Sequence, residues 1–575
     1  MMPVAVAALN LGWAAVMCGG IWLAEKIRGR KLSWLVILGL VTLLPVWNIF
    51  RNGTYQSGDL TFHAVFATAY AQAWRDGVVI PRWAGGINFG FGSALFIFTY
   101  PLPYAAAALV KIISGLPMLT SIKWELAAVF GLAGMGMYWW ARKHLSAGPA
   151  AVAAVLYLFA PYHLIDLHYR VALGELWAMM WLPLVLGLMW KYQERGKFIW
   201  ASGAGAALAG MILSHQAVSL VAVPFIAAYS WMLKKNTRRT VVPLVLGLAL
   251  AAWYWIPVLY EAQFTHQAAY AGSVEFQKLS DYIFSPYEWG FLWEGHRGEL
   301  VNLVGYVQLI LAGIGIWGGL TGKIKARAEL GFLLAWAAIY FGLMQEPAKI
   351  IWNLLPILKN LQFAYRMMAV ESLVVAAIGG LVVQTLGGKW KTAAARGIIA
   401  AAVVSSVLNW APRKFLPALS DAQLEQSGPS IFLFDPYPMA ATVWSDIRRP
   451  FAAAAPAAPA EVIAGKAVVE NELRNSVRHE YRIRAETAAV IKENTDYFPG
   501  WKLWVDGREK AMDYQNPNFP GVISFGVGPG EHTVRLEFGS TPDREIAGGI
   551  SLATLGVAGV VLLFTSRSGN SRMVK

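Results

Sequence analysis

Residues 100–117 read YPLPYAAAALVKIISGLP. The stretch is apolar enough to pass for a membrane span, yet it carries Lys111 and is bounded by prolines. Whether it crosses the bilayer decides which side every later loop faces. The basic residues settle the question, because Lys and Arg gather in cytoplasmic loops of membrane proteins. Here they lie in EKIRGRK (25–31), ARKH (141–144), KYQERGK (191–197), KKNTRR (234–239), TGKIKAR (321–327) and GGKWKTAAAR (387–396), and in the tail RSGNSRMVK (567–575). If 100–117 spans, ARKH falls outside and the alternation breaks. If it lies along the outer interface as an amphipathic helix, every basic loop lands inside.

The composition agrees with a membrane protein. Of 575 residues, 57% are hydrophobic and 14% charged, where a soluble chain carries about a quarter charged. Mean hydropathy is +0.47. Apolar segments recur near 4–23, 33–50, 121–141, 148–161, 176–192, 198–214, 217–233, 240–258, 301–320, 328–344, 367–386, 396–411 and 546–565. Runs of about 17–25 apolar residues are long enough to span a bilayer. The expectation is a polytopic α-helical bundle of about 13 spans, with its N-terminus outside and its C-terminus inside. No Lys or Arg precedes the first apolar run and a basic cluster follows it, the reverse of a cleaved signal. The net charge of +14 is explained by these loops, and no nucleic-acid partner is expected. The single cysteine, Cys18, excludes an intrachain disulfide and a Cys-rich metal site.

Three outer regions are then large: 51–120, 259–300 and 412–545. The last begins with a mixed stretch around FDPYPMAATVWSD (434–446) and continues through an Ala/Pro linker, PFAAAAPAAPAE (450–461), whose composition suits an extended spacer. Short alternating runs follow, HEYRIRAE (479–486), AAVIKEN (488–494), GVISFGV (521–527) and HTVRLEF (532–538), separated by Gly, Pro, Asn and Asp. Period-two runs between turn signals predict a small antiparallel β-sandwich. The chain divides into a bundle (1–411), an extracytoplasmic β region (412–545), and a last span with a cytoplasmic tail (546–575).

The candidate chemistry lies on the outer side. In GDLTFH (58–63), Asp59 and His63 are four apart and share a helix face. An acid at a helix N-terminus complements the dipole, so Asp59 reads as a cap, or else as a general base or cation ligand at the mouth of the bundle. PYHLIDLHYRVALGE (161–175) gathers His163, Asp166, His168, Tyr169, Arg170 and Glu175 in one hairpin. Asp166 and His168 carry donor types that hold a divalent cation; their i,i+2 spacing requires a loop or extended backbone. Arg170 offers the forked donors that suit phosphate. LSHQAV (213–218) places His215 in a tight turn, NLQFAYRMMAVES (360–372) puts Gln362, Tyr365 and Arg366 at the outer start of a span, and Arg82 opens the glycine- and aromatic-rich stretch 82–104. Interfacial anchoring accounts for many such residues on its own. HExxH, Walker A and GxSxG are all absent from the sequence, which argues against a metalloprotease, an ATP-driven pump or a serine hydrolase. Mid-span charges look few, which argues against a proton-coupled transporter.

Taken in order, GDLTFH, YPLPY, YRVALGE, LSHQA, LQFAYR and YFPGWKLWVDG…GEHTVRLEF followed by a last span resemble the bacterial YfhO-like, 6-pyruvoyl-tetrahydropterin synthase-related membrane proteins. These lie within the GT-C superfamily of polyprenyl-phosphate-sugar-dependent glycosyltransferases. The resemblance implies a GT-C-like bundle and transfer of a sugar from a polyprenyl-phosphate carrier to a lipid or glycan acceptor on the periplasmic face of the bacterial inner membrane. It implies Asp59 as the acid that activates the acceptor hydroxyl, with His63 in a second role. Arg82, His163, Asp166, His168, Arg170, Glu175, His215, Gln362 and Arg366 are the candidate substrate contacts. Asp59 is followed by Leu60 and Thr61 rather than by a second acid, and DLH (166–168) is not Asp-x-Asp, so metal dependence stays open. A lipid-linked saccharide flippase and a non-catalytic accessory protein are the alternatives.

Overall fold

In a computed structural model of the chain, helix Pro101–Ser114 begins on its prolines and ends at Gly115, whose φ of 71° closes the last turn. Glycine adopts this left-handed backbone without steric cost. Pro117 then starts helix Met118–Ala141, and the two axes meet at 118°. At 1.5 Å per residue the 14 residues of Pro101–Ser114 cover about 21 Å, short of a hydrocarbon core of about 30 Å. Lys111 pairs with Asp421, whose other oxygen accepts the Met118 N–H at 2.9 Å. One carboxylate thus ties both arms of the bend.

The structure describes residues 3–266, 274–285, 302–410, 415–427, 442–445 and 456–570. The remainder of the 259–300 region, most of 412–441 and the linker through residue 455 lie outside the described residues. Each segment expected to span contains a helix. Among the described residues, five helices are individually long and apolar enough to cross a bilayer, and up to nine cross if each bent pair is one span. The 240–258 segment differs from expectation: it breaks at Ala251 into Thr237–Leu250 and Ala252–Glu261, with a bend of 67°. Pro257 lies in the second piece and has no N–H for the carbonyl four residues back. That carbonyl, on Trp253, accepts from Arg82 Nη2 at 3.2 Å.

The centre of the bundle is Ala147–Leu158 against Met368–Gln384. The first is buried on every side, as befits a helix apolar all round. Gly379 and Gly380 allow the close approach: a Cβ on Gly380 would lie 2.7 Å from Leu145 Cδ1 and 3.0 Å from Ala153 Cβ. Small residues at crossings serve this purpose in membrane bundles. The first and last helices lie at the periphery, only 17% buried over their apolar windows.

A two-residue ladder joins Thr54–Tyr55 (β1) to Phe415–Leu416 (β2). The expected β region then forms from Ala460–Ala464 (β3), Ala467–Arg474 (β4), Arg478–Ala485 (β5), Ala489–Asp496 (β6), Trp501–Val505 (β7), Arg508–Lys510 (β8), Val522–Val527 (β9) and Gly530–Phe538 (β10). The sheets run β4-β5-β10-β7-β8 and β3-β6-β9, antiparallel throughout. Alternation in β5 buries His479, Tyr481, Ile483 and Ala485.

This β core is not self-contained. Trp83, Ala94, Ile97 and Phe98 of the 51–120 region belong to the same hydrophobic cluster as Ile483, Leu503, Phe498 and Leu536. Trp83 stands edge-on to Trp501, with centroids 5.5 Å apart. Polar bonds follow the same seam. Arg474 Nη2 donates to Gly90 O at 2.9 Å, Asn88 Nδ2 donates to Asp496 Oδ2 at 2.7 Å, and Asp76 accepts the Ser476 N–H at 2.9 Å. Arg544, at the head of the last helix, is buried on Glu261 at 2.7 and 3.0 Å and donates to Pro499 O at 2.8 Å.

Burial alone would raise the carboxyl of Glu493, but His479 at 3.0 Å and Arg474 hold it down to about 2. A depressed carboxylate supports the fold above the unfolded value of 4.5 and loses that support as pH falls through about 2. Glu493→Gln should therefore flatten the acid limb of the melting curve, followed by tryptophan fluorescence of the full chain in detergent. Arg474→Ala should lower stability at neutral pH by roughly 3–5 kcal/mol, because it strands a buried charge. An unchanged melt would remove Arg474 as the link between loop and sheet.

Candidate functional site

GDLTFH does not fold as a simple cap. Asp59 occupies the N-cap position of helix Leu60–Arg75, but its side chain makes no capping bond. Ser57 Oγ accepts the Leu60 N–H instead, at 3.1 Å. The backbone of this entry turn is bonded to the 161–175 segment: Gly58 N–H donates to Tyr169 O and Asp59 N–H to Arg170 O, both at 2.8 Å. A Cβ on Gly58 would lie 3.2 Å from Arg170 O, so the residue before Asp59 is set by this approach. The half-buried carboxylate of Asp59 acts electrostatically on Tyr100 and Tyr104.

One helical turn on, His63 is buried and both ring nitrogens are engaged. Nε2 accepts the Leu173 N–H at 3.4 Å, and Nδ1 is 2.8 Å from Tyr104 Oη. Burial pushes the imidazole down to about 4. His63 is thus a neutral ring that joins the 51–120 region to the start of helix Leu173–Arg195.

Tyr104 stacks on Tyr100, with centroids 5.6 Å apart and planes 6° apart, and Tyr100 lies against His215 at 5.4 Å. Gly174 makes room for the Tyr100 ring: a Cβ there would come within 2.5 Å of Tyr100 Cζ and of Ser214 O. His215 caps helix Gln216–Lys234 through Nδ1, which accepts the Val218 N–H at 3.1 Å. Its Nε2 is 3.9 Å from Glu175 Oε1.

Glu175 is the hub of the cluster. Arg170 Nη2 donates to its Oε1 at 2.6 Å and Arg366 Nε to the same oxygen at 3.1 Å. Tyr162 Oη donates to Oε2. Arg170 Nη1 also bonds Asp166 Oδ1 at 2.7 Å. Arg366 Nη1 donates to Leu361 O at 2.6 Å and to Gln362 Oε1 at 3.0 Å. The guanidiniums lie over aromatic rings, Arg170 over Tyr365 at 5.4 Å and Arg366 over Phe363 at 5.2 Å. Two non-glycine residues beside the cluster have positive φ, Val171 at 53° and Gln362 at 62°. Such backbone persists only where the surroundings over-determine it. Arg170 and Arg366 keep 12% and 14% of their side chains exposed.

The tertiary structure therefore joins Asp59, His63, Asp166, Arg170, Glu175, His215, Gln362 and Arg366. Three other candidates sit elsewhere. Arg82 bonds Trp253 O near the Arg544–Glu261 pair. His163 packs between Phe130 and Tyr157, with Nδ1 3.1 Å from Tyr157 O. His168 is buried near the Pro45 carbonyl. The segment expected to be loop or extended is the helix Pro161–His168, so Asp166 and His168 face different neighbours and do not form a cation-binding pair. Among the described residues no three of His, Cys, Asp and Glu gather as a metal site. Tyr100, Tyr104 and Tyr162 are site residues that pattern reading passed over. The i,i+4 spacing of Tyr100 and Tyr104 in YPLPY was their one signal. Buried charge within spans is also greater than it looks in sequence: Lys123, Glu125 and Glu371 are all buried.

Residues 97–412 match the family model described as the 6-pyruvoyl-tetrahydropterin synthase related domain, a membrane protein. An uncharacterized protein of Lactococcus lactis subsp. cremoris is 22% identical over 251 residues, which is 41% of each chain. The chain therefore spans well under half the length of this curated relative. Among solved structures, the arabinofuranosyltransferase AftD from Mycobacteria aligns at a TM-score of 0.43 and 18% identity, over 66% of this chain and 27% of that one. The Archaeoglobus fulgidus oligosaccharyltransferase aligns at 0.42 and 15%, over 68% and 53%.

Removing Glu175 leaves two guanidiniums facing each other. Glu175→Ala should lower stability by roughly 3–5 kcal/mol, the usual range for a broken buried ion pair, with a smaller loss for Glu175→Gln; thermal melts in detergent measure both. His63 should contribute an acid sensitivity. The unfolded ring takes up a proton below 6.5 while the folded ring does so only near 4, so stability falls as pH drops through that window. His63→Gln should remove that component, and an unchanged pH slope would refute the assignment.

Proposed function

We propose that this chain, which belongs to the 6-pyruvoyl-tetrahydropterin synthase-related family of membrane proteins, is a glycosyltransferase that moves a sugar from a polyprenyl-phosphate carrier to a lipid or glycan acceptor at the periplasmic face of the bacterial inner membrane. The observation that carries the reading is the bonding of the Asp59 turn to the backbone of Tyr169 and Arg170, which joins the turn bearing a half-buried carboxylate to the segment bearing Arg170. A carboxylate base next to paired guanidiniums matches the needs of glycosyl transfer from a phosphate leaving group.

Asp59 takes the proton of the acceptor hydroxyl as that oxygen attacks the anomeric carbon. The bond from that carbon to the phosphate oxygen breaks, and the carrier phosphate leaves with the electron pair. Attack opposite the leaving group inverts the configuration. Arg170 and Arg366 present forked donors suited to the phosphate charge. Their internal partners, Asp166 and Glu175, hold them charged and oriented until it arrives. His63 and Tyr104 act one step back: they fix the stacked Tyr100 between the carboxylate of Asp59 and the Glu175 pair. No step is routed through a metal, because Asp166 is committed to Arg170 and His168 lies apart.

Asp59→Asn should reduce transfer from a polyprenyl-phosphate sugar by about 10²–10⁴-fold, the range for loss of a general base, with the melting point unchanged. Arg366→Lys should weaken donor use and keep the fold. Full function of Asp59→Asn together with dependence on an open bundle cavity would indicate a flippase. Loss of function only on disruption of the β region would indicate an accessory role.

A further inference from the structure

Helices Met118–Ala141 and Leu173–Arg195 pack side by side and end in the basic stretches ARKH (141–144) and KYQERGK (191–197). Gly187 of the second makes room for Trp139 of the first: a Cβ there would lie 1.9 Å from Trp139 Cζ3, so the indole is seated across the neighbouring helix. Around it cations and indoles alternate. Lys143 Nζ lies 5.4 Å from the centroid of the Trp190 ring and 4.6 Å from that of Trp139. Lys191 Nζ lies 5.6 Å from the Trp139 centroid and 4.0 Å from that of Trp200, in helix Phe198–Ser214. Arg195 stands over the Trp200 ring at 5.9 Å. The order Trp190, Lys143, Trp139, Lys191, Trp200, Arg195 forms a ladder drawn from the ends of three helices.

This ladder has no bonded counter-charge. Elsewhere in the basic loops, Arg396 and Lys31 are answered by Glu25 at 2.6 and 3.3 Å. Lys143, Lys191 and Arg195 form no ion pair or side-chain hydrogen bond among the described residues. Partial burial holds the Lys143 ammonium below its ordinary value, and the like charges of Lys191 and Arg195 add to this, with Glu194 opposing. The ring faces hold the cations in place through the indole quadrupole and leave their N–H donors unspent. Leu132 and Met135 precede Trp139 by seven and four residues, so they share its helix face, and both are exposed.

A surface that passes from exposed hydrocarbon, through indoles, to unpaired cations has the polarity profile of a lipid read from tail to phosphate. We propose that the ladder binds the head group of an anionic phospholipid in the leaflet on the side of the basic loops. Lys143 and Lys191 donate to its phosphate oxygens, and an acyl chain lies along Met135 and Leu132. Basic pockets between spanning helices take anionic head groups in this way, whereas a soluble phosphate has no use for the apolar stripe. The helix that bears Lys191 and Arg195 bears Glu175 at its other end. Its 23 residues cover about 35 Å at 1.5 Å per residue, close to a hydrocarbon core of about 30 Å. A lipid held on the ladder thus fixes the depth of the helix that presents Glu175. The ladder shares no residue with the Asp59 cluster, so the proposal is independent of the transferase reading.

Native mass spectrometry of the full chain, released from nanodiscs of equal phosphatidylglycerol and phosphatidylethanolamine content, tests it. Phosphatidylglycerol should be retained in preference. Lys143→Gln and Lys191→Gln should each lower its retention by about fivefold, the worth of one basic residue near a membrane surface. Trp139→Leu, which keeps every charge, should lower it as well. Lys325→Gln, which changes an exposed residue of another basic loop, should leave it unchanged. Equal losses from Lys325→Gln and Lys143→Gln would reduce the ladder to part of a diffuse positive field and overturn the proposal. So would equal retention of the two lipids, or displacement of the lipid by inorganic phosphate, which would mark a site for a soluble anion.

Discussion

A carboxylate buried in a membrane bundle must be paired, because the surroundings offer no water to replace a lost partner. Glu175 meets that requirement with Arg170, Arg366 and Tyr162, which come from two segments of the chain, 161–175 and 360–372. Pairing Glu175 therefore dictates where the helix Pro161–His168, the head of Leu173–Arg195 and the entry to Met368–Gln384 lie. The strained backbone at Val171 and Gln362 flanks these pairs, as expected if ionic pairing overrides local preference. The Asp59 turn is then built onto the same segment by two backbone bonds. The candidate site is in this sense an extension of one ion-pair network.

The β region is integrated with the membrane bundle in a way that its sequence does not suggest. Its core borrows Trp83 and Phe98 from the 51–120 region, and Arg474 bridges Glu493 to the Gly90 carbonyl. Arg82, eight residues before Gly90, fills the carbonyl exposed by Pro257. The first loop is thus gripped from two sides before it enters YPLPY and the stacked Tyr100–Tyr104 pair. Such bracing suits a loop that must hold side chains in a fixed relation to a bundle mouth.

Much of this was legible along the chain. Hydrophobic run lengths gave the helices, and period-two alternation gave the strands of 460–538. The basic loops argued that 100–117 is a side branch, and the 118° bend after Gly115 fits that placement. GDLTFH, YRVALGE and LQFAYR were recognisable as polar points in apolar surroundings. What failed was pairwise placement. Asp166 and His168 carry the donor types of a shared ligand set, which needed a loop or extended backbone, and the helix Pro161–His168 sends them to different neighbours. Arg82 resembled Arg366 as an outer arginine, yet one plugs a proline break and the other meets Glu175. Nothing local distinguishes such cases, since the partner is remote in sequence.

The sequence by itself determined the class of the protein, a helical membrane bundle with a β region before its last helix, because hydrophobic period and charge placement are local properties set by solvent. Only the tertiary structure decided which polar residues share a site. That choice rests on the desolvation of charges, which forces each buried ion toward whichever opposite charge the packing of distant helices brings within hydrogen-bond reach.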